Sequence, residues 1–102
     1  ALCKEWRQIT WGDFTDEKGE YLGTDPFTGR PQFGQDYFLK IMKRFRKKVL
    51  IRSHQPTSPL FMFDNQCLTI FTSSAYIRER TIAIADFKKS IKTAKDLEIK
   101  KI

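Results

Sequence analysis

Four residues of this chain have side chains and settings that could do chemistry: His54, Tyr76, Arg30 and Asp13. His54 is the only histidine. It sits in Arg52-Ser53-His54-Gln55, after the apolar run Val49-Leu50-Ile51 and ahead of Pro56 and Pro59. Neutral imidazole at the open end of a rigid strand is well suited to bind zinc, manganese or iron. No His, Cys or carboxylate lies at metal-ligand spacing from it, so local spacing alone favours a structural or exposed histidine. Tyr76 follows Thr72-Ser73-Ser74-Ala75, where a phenol could donate to a phosphate or simply pack over a turn. Arg30 lies in Thr28-Gly29-Arg30-Pro31, ahead of Phe33-Gly34. A guanidinium on such a loop can hold phosphate by paired hydrogen bonds, or can stand in solvent. Asp13, in Trp11-Gly12-Asp13-Phe14, could orient an Arg or His, or cap a turn. Ser73 has no base beside it and is not a candidate nucleophile.

The elements that must position these groups run from a loop-rich start to a strand-rich end. Residues 1–34 contain all five glycines and two of the four prolines, and they show little periodicity. Trp6 and Trp11 are expected to anchor this stretch by packing. Residues 35–47 read as a helix, with Tyr37, Phe38, Ile41, Met42 and Phe45 on one face. Asp36 in its first turn and Lys43, Arg44, Arg46 and Lys47 near its end suit the helix dipole. Residues 48–102 read mainly as strands. Val49–Ser53 is a short buried strand, and Phe61–Phe63 and Cys67–Thr72 flank a turn at Asp64-Asn65-Gln66. Thr81–Ala85 is a further strand, and the tail with Ile91, Leu97, Ile99 and Ile102 adds an edge strand. No internal repeat or low-complexity segment is visible.

At 102 residues the chain is one domain or part of one. Hydrophobic residues at 40% and aromatics at 14% give a globular composition. No apolar stretch reaches the roughly 20 residues of a membrane span. Lys4, Glu5 and Arg7 interrupt any apolar start, so neither a signal peptide nor a membrane partner is expected. The start at Ala1 rather than Met suggests processing or a fragment. Cys3 and Cys67 are too few and too far apart for a disulfide framework or zinc site. They read as two reduced thiols of a cytoplasmic protein. The net charge of +7 is uneven. Residues 1–36 hold four Lys/Arg against seven Asp/Glu, net −3, and residues 37–102 hold fifteen against five, net +10. The Lys43–Lys48 run resembles a nucleic-acid patch in charge alone. Phe45 belongs to the apolar face, so no exposed aromatic interleaves it, and nucleic acid is not expected as a partner.

Taken in order, these segments resemble the C-terminal part of a metal-dependent serine/threonine phosphoprotein phosphatase, of the calcineurin-like metallophosphoesterase fold. That family has a Trp-Ser-Asp-Pro loop, where this chain has Trp11-Gly12-Asp13-Phe14. It has an Arg-Gly loop, a Phe-Gly pair and a helix, matched by Arg30-Pro31, Phe33-Gly34 and residues 35–47. Its Arg-Ala-His-Glu/Gln segment is similar to Arg52-Ser53-His54-Gln55. Its Leu-Thr-Ile-Phe-Ser strand leading to Ala-Pro-Asn-Tyr is similar to Leu68–Thr72 and Ser73-Ser74-Ala75-Tyr76.

The resemblance implies an α/β fold, the C-terminal portion of a two-sheet metallophosphatase β-sandwich with flanking helices. It implies hydrolysis of phosphoserine and phosphothreonine monoesters of phosphoprotein substrates, with two divalent metal ions (Mn, Fe or Zn) in the intact enzyme. His54 would be one metal ligand, Tyr76 would line the site near the phosphate, Arg30 would bind phosphoryl oxygens, and Asp13 would support the site as an acid. The family's Gly-Asp-x-His-Gly, Gly-Asp-x-x-Asp-Arg-Gly and Gly-Asn-His-Glu motifs are absent from these residues. The remaining N-terminal part of the domain is therefore an expected partner, and the chain alone is expected to be inactive. Two other readings stand beside this one: a non-enzymatic basic module for nucleic acid or another anionic partner, and a phosphatase-like scaffold.

Overall fold

The apolar periodicity after Gly34 produces the longest helix of the chain. In the computed structural model, which describes residues 4–53, 55, 58–73 and 80–102, this helix spans Gln35–Phe45. The molecule divides into two units, Ala1–Arg46 and Lys47–Ile102. It is mixed α/β, with small sheets and few helices.

The first unit contains helix α1 (Lys4–Trp11), strands β1 (Asp13–Phe14), β2 (Tyr21–Thr24) and β3 (Pro31–Phe33), and helix α2 (Gln35–Phe45). β3 is central, parallel to β1 and antiparallel to β2. The stretch expected to be irregular thus carries a helix and three strands. The strands are only two to four residues long, too short for alternation to stand out.

α2 buries Tyr37, Phe38, Ile41 and Met42, as its spacing requires. They meet Phe14 and Phe33 from the sheet. Phe33 and Tyr37 stack with ring centroids 4.4 Å apart, and Phe14 lies 6.1 Å from both Phe33 and Phe38. Aromatic pairs at such offsets contribute beyond the area they bury. Phe45 departs from expectation: it is 40% exposed. It sits in the last turn, beside the left-handed Arg46 (φ 53°) that ends the helix, with the Arg44 guanidinium 5.8 Å from its ring.

No side chain caps the start of α2; loop backbone does so instead. The Gln35 N–H donates to the Glu17 carbonyl (2.7 Å) and the Asp36 N–H to the Gly19 carbonyl (3.2 Å). Asp36 Oδ2 in turn accepts the Gly19 N–H at 2.6 Å. These contacts satisfy donors that a helix start leaves unpaired. They also explain Gly34, where a Cβ would fall 2.6 Å from the carbonyl oxygens of both Glu17 and Gly19.

The second unit contains β4 (Leu50–Arg52), β5 (Phe61–Met62), β6 (Cys67–Thr69), β7 (Thr81–Ile84), a 3-10 turn at Ala94–Asp96 and β8 (Glu98–Lys101). β6 is central and wholly buried, parallel to β4 and antiparallel to β5. β7 and β8 form an antiparallel pair, which makes the tail a strand. The turn between β5 and β6 is made by Phe63, Asp64 and Asn65, all with positive φ (53–62°). β4 is an edge strand rather than a buried one, and Ile51 is 46% exposed. Leu68, Ala94 and Leu97 form the centre of the core, with Val49, Leu60 and Phe61 among the residues around it. A capping box sets the 3-10 turn: Thr93 accepts from Lys95 N–H (3.2 Å) and Asp96 accepts from Thr93 N–H (3.1 Å). The Lys92 N–H (2.8 Å), and after it that of Thr93, holds the exposed Asp96 carboxyl below its usual range.

Cys67 is buried in β6. Burial pushes its thiol up from 9.0 to about 11, partly offset by the Arg52 charge and a hydrogen bond with Thr69. The unfolded chain therefore releases this proton at a lower pH than the folded chain. Stability from this group is intact below pH 9.0 and falls as pH rises towards about 11. In a Cys3→Ser background, Cys67 should resist a thiol reagent at neutral pH and react on denaturation; rapid labelling of the folded chain would refute its burial.

Candidate functional site

Arg30 and Asp13 are brought together in the first unit. The loop between β2 and β3 delivers Arg30. Asp25 Oδ1 accepts the N–H groups of Phe27 (2.8 Å) and Thr28 (3.2 Å), and Gly29 takes φ +72°, a conformation that favours glycine. The Asp25 N–H donates to the Arg30 carbonyl (2.9 Å), closing the loop just before β3. On the other side, the chain leaves α1 at Trp11 and enters β1 at Asp13. Gly12 permits this close passage, since a Cβ there would lie 2.6 Å from the Gln8 carbonyl and 2.7 Å from the Phe33 ring.

The result is a three-part cluster. Arg30 Nη1 is 3.4 Å from Asp13 Oδ1, and the two side chains are only 15% and 20% exposed. The Arg30 guanidinium carbon lies 4.5 Å from the Trp11 ring centroid. A carboxylate on one side and an indole face on the other restrain a planar fork that matches phosphoryl oxygens. Trp6 and Trp11, expected to anchor this stretch by packing, are 49% and 50% exposed and lie outside the core. Trp11 instead supports Arg30, a role with no local sequence signal.

His54 and Tyr76 lie outside the described residues. Arg52, Ser53, Gln55 and Ser58, close to His54 in sequence, are described, in the second unit. Arg52 ends β4 and its Nη1–H donates to Gln55 Oε1. Gln55 is buried, and its carbonyl accepts the Ser58 N–H (3.1 Å). The buried Ser58 hydroxyl lies 3.4 Å from Thr69 Oγ1 of β6. These polar contacts link Gln55 to Arg52 and Ser58, and Ser58 to the central strand.

A two-metal centre needs several converging donors. Among the described residues, no three His, Cys, Asp or Glu side chains converge to hold a metal ion. The described residues therefore do not by themselves fit such a centre. Among them, too, no helix is long and apolar enough to cross a membrane.

Comparison with known proteins gives a direction. Over 81 residues, 74% of this chain, it is 35% identical to serine/threonine-protein phosphatase with EF-hands 1 of Mus musculus. The similarity is to a protein phosphatase. The protein of the same name from Homo sapiens is 36% identical over 80 residues. The chain spans only 12% of the length of these curated relatives. No family model matches it.

Proposed function

We propose that this chain is the C-terminal part of a metal-dependent phosphatase domain that hydrolyses phosphoserine and phosphothreonine monoesters, within the two-sheet sandwich of the phosphoprotein phosphatase family. The observation that carries this reading is the 35% identity, over 81 residues, to a serine/threonine-protein phosphatase. The Asp13–Arg30–Trp11 cluster supports it, because a half-buried, restrained guanidinium suits a phosphoryl group.

In this reading Arg30 binds the phosphoryl oxygens and Asp13 fixes the guanidinium. Tyr76 lies near the phosphate. His54 is one ligand of a centre of two divalent ions (Mn, Fe or Zn), whose other donors come from the remaining N-terminal part of the domain. Such a pair, held by His54 and those other donors, would supply charge stabilisation for a phosphoryl group and an activated water. The substrate is a phosphoprotein, and the protein works in the cytoplasm.

The chain alone lacks most of that machinery. Assayed with manganese against a phosphoserine peptide, these 102 residues should give no turnover above the metal blank. Turnover at an intact-enzyme rate would contradict the proposal. Salt-dependent binding to nucleic acid that survives His54→Ala would favour a basic binding module instead.

A further inference from the structure

One face of α1 is built for anions. Lys4, Arg7, Gln8 and Trp11 follow the i, i+3, i+4, i+7 spacing that places side chains on one helical face. With Pro31 they line a cleft of about 390 Å³, within the size range of ligand sites. Its Trp11 wall is the same ring that lies against the Arg30 guanidinium. A second cleft of about 170 Å³ starts from Lys4 and Gln8 and runs past Tyr37, Lys40 and Ile41 to Arg44. Gln8 Oε1 accepts the Tyr37 hydroxyl, which ties α1 to α2 where the two clefts meet.

Arg7, Lys4, Lys40 and Arg44 thus line two clefts that share Lys4, and no described carboxylate lines either one. Nearby, Asp13 meets Arg30, and Glu20 meets Lys40 at 3.0 Å. The sequence did not advertise this face, because residues 1–36 carry net negative charge. The fold sorts the charges: the lysine and arginine of α1 face the clefts.

We propose that this face is a subsite for acidic side chains flanking the phosphorylated residue of a peptide substrate. The inference rests on the phosphatase reading in that Arg30 takes the phosphoryl group. Flanking carboxylates then reach Lys4 and Arg7 across the Trp11 ring, and more distant ones reach Lys40 and Arg44. Charge complementarity of this kind sets partner choice and speeds encounter. The indole and Pro31 give the peptide an apolar floor.

The test is fluorescence anisotropy on the full chain at low salt, with three labelled peptides. One carries phosphoserine flanked by glutamates, one is the same peptide without phosphate, and one keeps phosphoserine but has glutamine for glutamate. The proteins are wild type, Lys4→Glu/Arg7→Glu and Arg30→Ala, with circular dichroism confirming the fold. The acidic phosphopeptide should bind about tenfold or more tighter than its glutamine version, as expected for several charge pairs acting together. Lys4→Glu/Arg7→Glu should remove that advantage and leave the glutamine phosphopeptide unaffected. Equal affinity of this variant and wild type for the acidic peptide overturns the proposal, as does binding of neither acidic peptide. Displacement by an oligonucleotide that binds the same face more tightly also overturns it. If Arg30→Ala leaves the preference for phosphate intact while the glutamate preference persists, the phosphate reading fails and the acidic subsite stands.

Discussion

Replacing Phe14 by alanine is expected to lower the stability of the folded chain by about 3–5 kcal/mol, the range for emptying a buried aromatic position. Phe14 is 1% exposed and ends a strand of only two residues. Its ring lies 6.1 Å from Phe33, 6.4 Å from Tyr37 and 6.1 Å from Phe38. Phe14 thus joins the Phe33–Tyr37 stack in holding the helix to the sheet, and short strands offer little else to absorb a cavity. The control is Phe27→Ala. Phe27 is 97% exposed, so its loss should change stability by no more than about 0.5 kcal/mol. Denaturant titration of both variants measures the contrast. A Phe14→Ala cost below about 1 kcal/mol, far under the usual range for such a change, would mean that the aromatic cluster does not organise the first unit.

The sequence made some of this architecture plain and hid the rest for physical reasons. α2 was legible because eleven residues allow an apolar face to repeat, and because Asp36 and the closing basic residues mark its ends. The turn at Asp64 and Asn65 was legible because these side chains tolerate positive φ. α1 and β1–β3 were not legible: two- to four-residue strands carry no period, and glycine-rich connections mask them. Phe45 and Ile51 have the composition of core residues, but a helix end and a sheet edge left them exposed. The Thr93–Asp96 capping box has a sequence signature, Thr-x-x-Asp, that reading by periodicity alone passes over.

The candidate site was legible as residue types rather than as an arrangement. Asp13 and Arg30 stood out singly, and an acidic residue that orients an arginine is one role Asp13 was given. Their pairing across seventeen residues of chain depends on β1 lying parallel to β3, which no local pattern encodes. Trp11 as the surface beneath Arg30 follows from the same topology. For His54, the order of segments around it, rather than any spacing to a second ligand, gave the residue its meaning.

The second large effect follows from the proposed function and concerns His54 and Arg30 in the intact phosphatase that it implies. Removing a preorganised cation aimed at developing phosphoryl charge costs on the order of 10²–10³ in turnover. Arg30→Ala should show a loss of that size, and Asp13→Asn a smaller one, because Asp13 fixes the guanidinium rather than meeting substrate. Under the same proposal His54→Ala should be more damaging, since losing a ligand would weaken the metal centre, with metal affinity itself falling by at least about 10–100-fold. The decisive measurement is manganese-dependent hydrolysis of a phosphoserine peptide by the full polypeptide, wild type beside His54→Ala, with manganese affinity measured on the same samples. The phosphatase account predicts turnover that a chelator abolishes, and loss of both turnover and manganese affinity in the variant. Wild-type turnover and affinity in His54→Ala, or a wild-type polypeptide with no phosphopeptide hydrolysis at all, would contradict it.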